Sequence, residues 1–159
     1  MRVISGHDAE AWCRQHEILL SEGRLPDLSG FPTKFAIPSD AGARVSLVSW
    51  SMEAFREEPE LLVWFKDWSV WPSGERLHIF ERLRKSYGEV RRLGEAPANV
   101  FEAGEIEDAI SFVTVAVLFL WDCYVLTPRG AKLLFFSHDE YGSTNLDLRL
   151  QAGRNGLPS

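Results

Sequence analysis

The residues of this chain that are best suited to chemistry are one histidine and three carboxylates lying close together in the sequence. They are Asp122, His138, Asp139 and Glu140. An imidazole beside a carboxylate can act as a general base or bind a metal ion, because it exchanges a proton near neutral pH and offers a nitrogen ligand. The alternative interpretation is that Asp122 makes a local hydrogen bond and that the other three residues mark the end of a strand in water.

Sequence motifs of the common enzyme families are missing from the chain. It contains no GxSxG elbow, HExxH pair, phosphate-binding P-loop or GxGxxG fingerprint. The two cysteines, Cys13 and Cys123, form no CxxC motif and no Cys/His spacing typical of zinc sites. The sequence therefore favours a non-catalytic protein without a cofactor or metal, and it predicts that Cys123 is a buried, inert thiol.

An apolar segment precedes the titratable cluster and must position it. Residues 109–121 contain only a serine and a threonine as polar side chains. A single strand over 111–126 would be much longer than the usual ~3–10 residues. We therefore predict a buried helix over residues 105–119, followed by a strand over 121–126.

A tight turn at residues 127–130 and a return strand over 131–137 would complete a hairpin. If position 126 pairs with position 131, Asp122 lies opposite position 135 and not beside His138. The two side chains then become neighbours only if the register shifts or a bulge intervenes.

Periodicity along the rest of the chain predicts an α+β fold. Apolar side chains at helical spacing predict helices, and apolar–polar alternation predicts strands. The expected architecture is an antiparallel sheet of about five strands with two to three helices packed on one face. One globular domain is expected over 1–150, with a flexible tail over 151–159. The other predicted elements are helices over 7–21 (with Asp8 as the N-cap) and 73–87, a hairpin over 33–50, a short helical turn over 51–58, a strand over 60–71 and an irregular segment over 89–103.

Three tryptophans in the predicted strand over 60–71 are a second candidate site. On a strand, Trp64 and Trp68 share one face and Trp71 points to the other. One interpretation is that these rings pack in the core or against the sheet. The other is a contact surface, because tryptophan is enriched where proteins bind each other.

The uneven charge of the chain provides a third candidate site. The net charge is −6, which disfavours general affinity for nucleic acid. Basic residues are concentrated in residues 82–92 and acidic residues in 102–108. Both runs are typical of solvated faces and helix ends, and the acidic run is also suited to docking a basic partner. The acidic residues are Glu102, Glu105, Glu107 and Asp108.

The expected location is the cytoplasm. The first residues include no apolar segment typical of a signal peptide. The apolar run at 109–121 is also shorter than the ~20 residues that span a bilayer.

Motifs in residues 105–141 carry a resemblance to a known family. An acidic helix start and an apolar helix lead to Trp121-Asp122 in a WDxYVL strand, and the return strand ends in FSHDE. This arrangement resembles immunity proteins of bacterial polymorphic-toxin systems, many of which are small, acidic, tryptophan-rich α+β proteins. The resemblance implies that this chain is a cytoplasmic partner of a toxin domain, whose active site would be covered by an acidic or aromatic surface of this chain. It carries over no catalytic residues, because immunity proteins are inhibitors.

The function expected from the sequence is therefore the binding of a protein partner, in particular a basic toxin domain. The alternative is a small enzyme or metal-binding protein that uses the histidine–carboxylate cluster. Neither nucleic acid nor a membrane is an expected partner, and the sequence leaves homo-oligomer formation open. The residues expected to bind the partner are Trp64, Trp68, Trp71, Glu102, Glu105, Glu107, Asp108, Asp122, His138, Asp139 and Glu140.

Overall fold

A seven-stranded antiparallel sheet forms the centre of the protein. The structure is a computed structural model that describes residues 1–21, 24–29, 31, 33–68 and 77–146. The strands are β1 (Arg2–Ile4), β2 (Thr33–Ala36), β3 (Glu60–Phe65), β4 (Ala98–Glu102), β5 (Cys123–Leu126), β6 (Leu133–Phe136) and β7 (Tyr141–Thr144). Their order across the sheet is β1-β4-β3-β5-β6-β7-β2, and every neighbouring pair is antiparallel.

Four α-helices accompany the sheet in the described part of the chain. They are α1 (Gly6–Gln15), α2 (Ala41–Met52), α3 (Leu77–Ser86) and α4 (Ile106–Leu118). The predicted α+β class is confirmed, although the sheet has more strands than the five expected. None of the described helices has the length and apolar character needed to cross a membrane.

Both faces of the sheet are buried. In β3, Val63 and Phe65 belong to one hydrophobic core, whereas Leu62 and Trp64 belong to a second core on the opposite face. A strand that is apolar on both sides needs a covering layer on each. Side chains of α2, α3 and α4 fill the first core, and side chains of α1 fill the second. The prediction that the helices pack on one face therefore holds for α2–α4 but not for α1.

Helix α1 begins earlier than the sequence predicted. Its N-cap is Ser5, whose hydroxyl accepts a hydrogen bond from the backbone N–H of Asp8 at 3.1 Å. The Asp8 carboxylate accepts in turn from the backbone N–H of Ser5 at 3.4 Å, which makes the pair a capping box. Asp8 was predicted as the N-cap, but it occupies the third helical position.

The predicted hairpin over residues 33–50 is wrong in its second half. Strand β2 is present, but residues 41–52 form helix α2, with the side chain of Asp40 accepting from the N–H of Ala43 at 2.8 Å. The buried side chains Arg44, Val48 and Met52 recur every four residues, which is a helical spacing. Alternation over this short segment was misleading because about seven residues are too few to distinguish a period of two from a period of 3.6. The predicted helical turn over 51–58 shrinks to the end of α2 and a 3₁₀ turn at Glu53–Phe55.

Three short strands were not predicted. Strand β4 lies inside the segment 89–103 that was expected to be irregular, and β1 and β7 contain three and four residues. Strands β1 and β4 pair with each other across a long stretch of sequence, as Val3 does with Asn99, whereas β7 pairs with the preceding strand β6 and with the distant β2. The predicted strand over 60–71 ends at Phe65. Residues 69–76, at its end and at the start of the predicted helix over 73–87, lie outside the described residues, as do residues 147–159 with the predicted tail.

The segment leading to the titratable cluster folds as predicted, with a different register. Helix α4, strand β5 and strand β6 follow one another, but Leu126 pairs with Leu133 and not with position 131. The connection is longer because Thr127 and Lys132 close it, with the N–H of Lys132 donating to the Thr127 hydroxyl at 2.9 Å. A 3₁₀ turn at Pro128–Gly130 fills the loop. This register shift of two residues brings the two ends of the hairpin together.

Candidate functional site

The register of the β5–β6 hairpin places Asp122 beside His138. Cys123 and Phe136 are the last pair of the β5–β6 ladder. Asp122 directly precedes Cys123, and His138 follows Phe136 by two residues, so both lie at this end of the hairpin. The backbone N–H of His138 donates to Asp122 Oδ1 at 2.8 Å, and the ring Nδ1 lies 2.8 Å from the same oxygen. The Asp122 side chain is 16% exposed and the His138 side chain is 25% exposed. They therefore form a half-buried pair at the end of the sheet.

Asp67 joins this pair from the neighbouring strand. Beyond the end of β3, the N–H of Lys66 donates to the carbonyl of Asp122, and the N–H of Asp122 donates to the carbonyl of Asp67, both at 2.9 Å. One ligand atom from each of Asp67, Asp122 and His138 lies within 4.8 Å of the others. Asp67 was not predicted from the sequence as a member of this cluster. Its only signal was a carboxylate directly after a buried strand, which has meaning only once β3 is known to pair with β5.

The charge around His138 favours its protonated form. Burial lowers the pKa of the imidazole, but the hydrogen bond to Asp122 and the negative charges of Asp122, Asp139 and Asp67 outweigh burial. The pKa of His138 is therefore above its ordinary value. Its other ring nitrogen, Nε2, lies 3.5 Å from Asp139 Oδ1.

Glu140 is not part of the cluster. Residues 137–140 form the turn between β6 and β7, and Glu140 has a left-handed backbone with φ of 61°. Its carboxylate lies 3.1 Å from Nη2 of Arg44 on α2. The Arg44 side chain also donates to the carbonyl of Pro38 at 2.6 Å. Of the four residues that the sequence grouped, the structure therefore brings together Asp122, His138 and, more loosely, Asp139.

A separate group of carboxylates surrounds the start of α4. We call Glu102, Glu105, Glu107 and Asp108, with the adjacent Tyr87, the acidic surface. Glu102 is exposed, Glu107 is 71% exposed, and the other two carboxylates are half-buried. Acidic side chains in the first turn of a helix also interact favourably with its dipole.

Local bonds hold three of these carboxylates in place. Glu105 accepts from the N–H of Glu102 at 2.9 Å and contacts the amino group of Met1, which keeps its pKa below the ordinary value. Glu107 lies 2.6 Å from Nη1 of Arg56. The Tyr87 hydroxyl donates to Asp108 at 2.6 Å, and this bond raises the tyrosine pKa. The acidic surface is therefore ordered by its own contacts.

The basic run at 82–92 does not form a uniform solvated face. Arg84 is 1% exposed, and its Nη2 donates to the carbonyl of Ala96 at 2.7 Å. Arg91 pairs with the buried Glu89, with Nε donating to Oε1 at 2.9 Å. Arg84 and Arg91 therefore make contacts within the protein, and their charges do not form part of a solvated basic face.

The tryptophans are distributed between packing and a small cavity. Trp64 is 4% exposed and packs in the second core. Trp68 is half-buried against the first core. Both line an open cavity of about 220 Å³ that is also bordered by Arg24 and Lys66. Trp71 lies outside the described residues.

The two cysteines are buried and unpaired, as expected for inert thiols. Burial raises the pKa of the Cys13 thiol to about 12. Burial raises the pKa of the Cys123 thiol as well. Neither sulfur is suited to nucleophilic chemistry near neutral pH.

The resemblance to immunity proteins depends on the motifs of this chain alone. No protein-family model matches the chain, and no curated protein or solved structure matches it either.

Proposed function

We propose that this chain is a non-catalytic protein-binding domain that docks a basic partner protein on its acidic surface, as an immunity protein docks a toxin domain. The observation that carries the proposal is the Tyr87–Asp108 pair at 2.6 Å, set among the carboxylates of the α4 start. Tyrosine is enriched at protein interfaces because its ring adds apolar contact area and its hydroxyl forms hydrogen bonds.

The balance of charge supports a basic partner. Four carboxylates belong to the acidic surface. The guanidinium of Arg56 contacts one of them, that of Glu107. The chain as a whole has a net charge of −6. A negative surface accelerates encounter with a positive partner and disfavours acidic competitors.

The order of the acidic surface also supports binding. Side chains already held by local contacts lose less conformational entropy when a partner docks. Glu105, Glu107 and Asp108 have such contacts. Glu102 has an exposed side chain, and no hydrogen bond or ion pair to another described residue engages its carboxylate, which leaves it available to a basic group of a partner.

The proposal is tested by capture followed by measured affinity. The tagged chain is used to isolate proteins from the native host at low salt, and captured proteins are identified by mass spectrometry. The proposal requires a basic protein whose binding is weakened at least tenfold by Glu102→Lys and reduced by added salt. Glu17→Lys is the matched control, because Glu17 is exposed, follows α1 and undergoes the same change of charge.

Two outcomes would contradict the proposal. One is that Glu102→Lys and Glu17→Lys bind the captured protein as tightly as the unchanged chain. The other is that no basic protein is recovered by a bait shown by circular dichroism to be folded.

A further inference from the structure

We infer that Asp67, Asp122 and His138 form a binding site for one divalent first-row transition-metal cation, such as Zn²⁺ or Mn²⁺. This inference does not depend on the protein-binding function proposed above. It rests on a mixed set of nitrogen and oxygen donors that converge from three separate segments of the fold.

The spacing of the donors matches a coordination sphere. Bonds of about 2.1 Å to nitrogen and oxygen place neighbouring ligands of an octahedral ion about 3.0 Å apart and opposite ligands about 4.2 Å apart. The hydrogen bond from His138 Nδ1 to Asp122 Oδ1 has a length of 2.8 Å, close to a neighbouring-ligand distance, so a cation could take the place of the shared proton once the imidazole has released it. The donor atoms of all three residues lie within 4.8 Å of one another, so small side-chain rotations suffice to enclose an ion.

The backbone fixes where the donors are. Asp122 exchanges main-chain hydrogen bonds with Lys66 and Asp67, which joins the end of β3 to the start of β5. His138 is placed by the β5–β6 ladder and begins the turn into β7. A cation would therefore bind to segments that the sheet already holds together, and little ordering would oppose binding.

Asp67 offers a carboxylate for which the described residues provide no direct partner. Within the described part of the chain, no hydrogen bond or ion pair engages the Asp67 side chain. Asp67, Asp122 and Asp139 all act on His138 as negative charges. Three carboxylates around one imidazole leave an excess of negative charge, which a bound cation would reduce.

The donor types select the class of metal. Magnesium and calcium prefer sites built entirely from oxygen ligands, whereas an imidazole ligand suits zinc, copper, iron and nickel, and the carboxylates of the site also suit manganese. With three protein ligands, the remaining positions would be taken by water or by a group of a binding partner.

Calorimetry and NMR with the metals alone test the inference. Titration of the whole chain with ZnCl₂ at pH 7.5 is expected to show one bound ion per chain. Asp67→Asn keeps the shape of the side chain and removes its charge, so it is expected to weaken binding at least tenfold. Glu57→Gln, at an exposed carboxylate outside the cluster, is the control and is expected to bind as the unchanged chain does.

The NMR measurement does not depend on a variant. Substoichiometric Mn²⁺ is expected to broaden the ring resonances of His138 before those of His7, His16 and His78. Three results would overturn the inference: no Zn²⁺ or Mn²⁺ binding at ~1 mM metal, equal affinity in Asp67→Asn, or broadening centred on another histidine. If neither metal binds and Asp67→Asn also loses binding of the basic partner, the carboxylates of Asp67 and Asp122 bind a lysine or arginine of that partner and not a metal ion.

Discussion

One carboxylate oxygen, Oδ1 of Asp122, lies 2.8 Å from both the backbone nitrogen and the ring Nδ1 of His138. The aspartate therefore fixes the start of the β6–β7 turn and the orientation of the imidazole at the same time. Because both groups are half-buried, water replaces these contacts only in part when they are lost.

Asp122→Ala is expected to destabilise the protein by about 1–3 kcal/mol, because it removes a charge-assisted contact and leaves the His138 N–H without this acceptor. Urea denaturation at pH 6 measures the change. Asp139→Asn is the control, since the Asp139 carboxylate is 70% exposed and lies 3.5 Å from the ring. Equal stability of the two variants would show that the Asp122 contact contributes nothing.

The stability of the protein is expected to fall in acid partly because of Glu89. Its hydrogen bond with Arg91 lowers the pKa of the Glu89 carboxyl from 4.5 to about 2 in the folded state. A depressed folded pKa contributes stability that is complete above pH 4.5 and is lost as the pH falls towards 2. The contribution is about 1–2 kcal/mol, since the half-exposed Arg91 guanidinium is screened by water. Denaturation of Glu89→Gln between pH 2.5 and 7 should show a shallower pH dependence, and an unchanged slope would contradict the assignment.

Gly142→Ala is expected to be strongly destabilising. A Cβ at this position in β7 would lie 2.1 Å from Cζ of Phe35 and 2.8 Å from the carbonyl oxygen of Phe135. The phenyl ring can rotate away, but the backbone of β6 cannot, so we expect a loss of about 2–4 kcal/mol. Gly6→Ala is the control, because its Cβ would meet only Pro97 at 3.8 Å, an ordinary contact. A melting temperature for Gly142→Ala equal to that of Gly6→Ala would refute the close packing of β2 against β7.

Arg84 is expected to be replaceable by an apolar side chain of similar length. Its Nε and Nη1 are buried without a hydrogen-bond partner among the described residues, and burial lowers the guanidinium pKa. Removing a buried charge that is poorly paired can be neutral or stabilising when the volume is kept. The free energy of unfolding of Arg84→Met should therefore lie within about 1 kcal/mol of that of the unchanged chain, or above it.

Arg84→Ala provides the comparison for that prediction. It removes the charge and also leaves a cavity, so we expect it to cost about 2–4 kcal/mol. Thermal melts of both variants decide the matter. A methionine variant as unstable as the alanine variant would show that the charge itself stabilises the core.

Elements with strong local patterns could be predicted from the sequence. The apolar run of α4 and the strand that follows it were predicted because their length and periodicity agree, whereas the turn after that strand is two residues longer than predicted. Strand β4 was missed because it is five residues long and contains Asn99, a poor strand former. Helix α2 was mistaken for a strand because alternation over seven residues does not distinguish the two periods.

The candidate site shows the same division. Its residue types, Asp122 and His138, were recognisable from the sequence, and so was their position at the edge of the apolar core. Their contact was not, because a two-residue change in the β5–β6 register depends on how Thr127 and Lys132 close the loop.

Local periodicity by itself determined the α+β class and the buried α4, because these properties depend on residues close together in the chain. Composition by itself determined the net negative charge. Tertiary structure alone decided that β3 lies beside β5, that helices cover both faces of the sheet, and that Asp67 joins Asp122 and His138. Such pairings join residues far apart in the chain, and only the folded chain, by burying both faces of its sheet, selects one register among many.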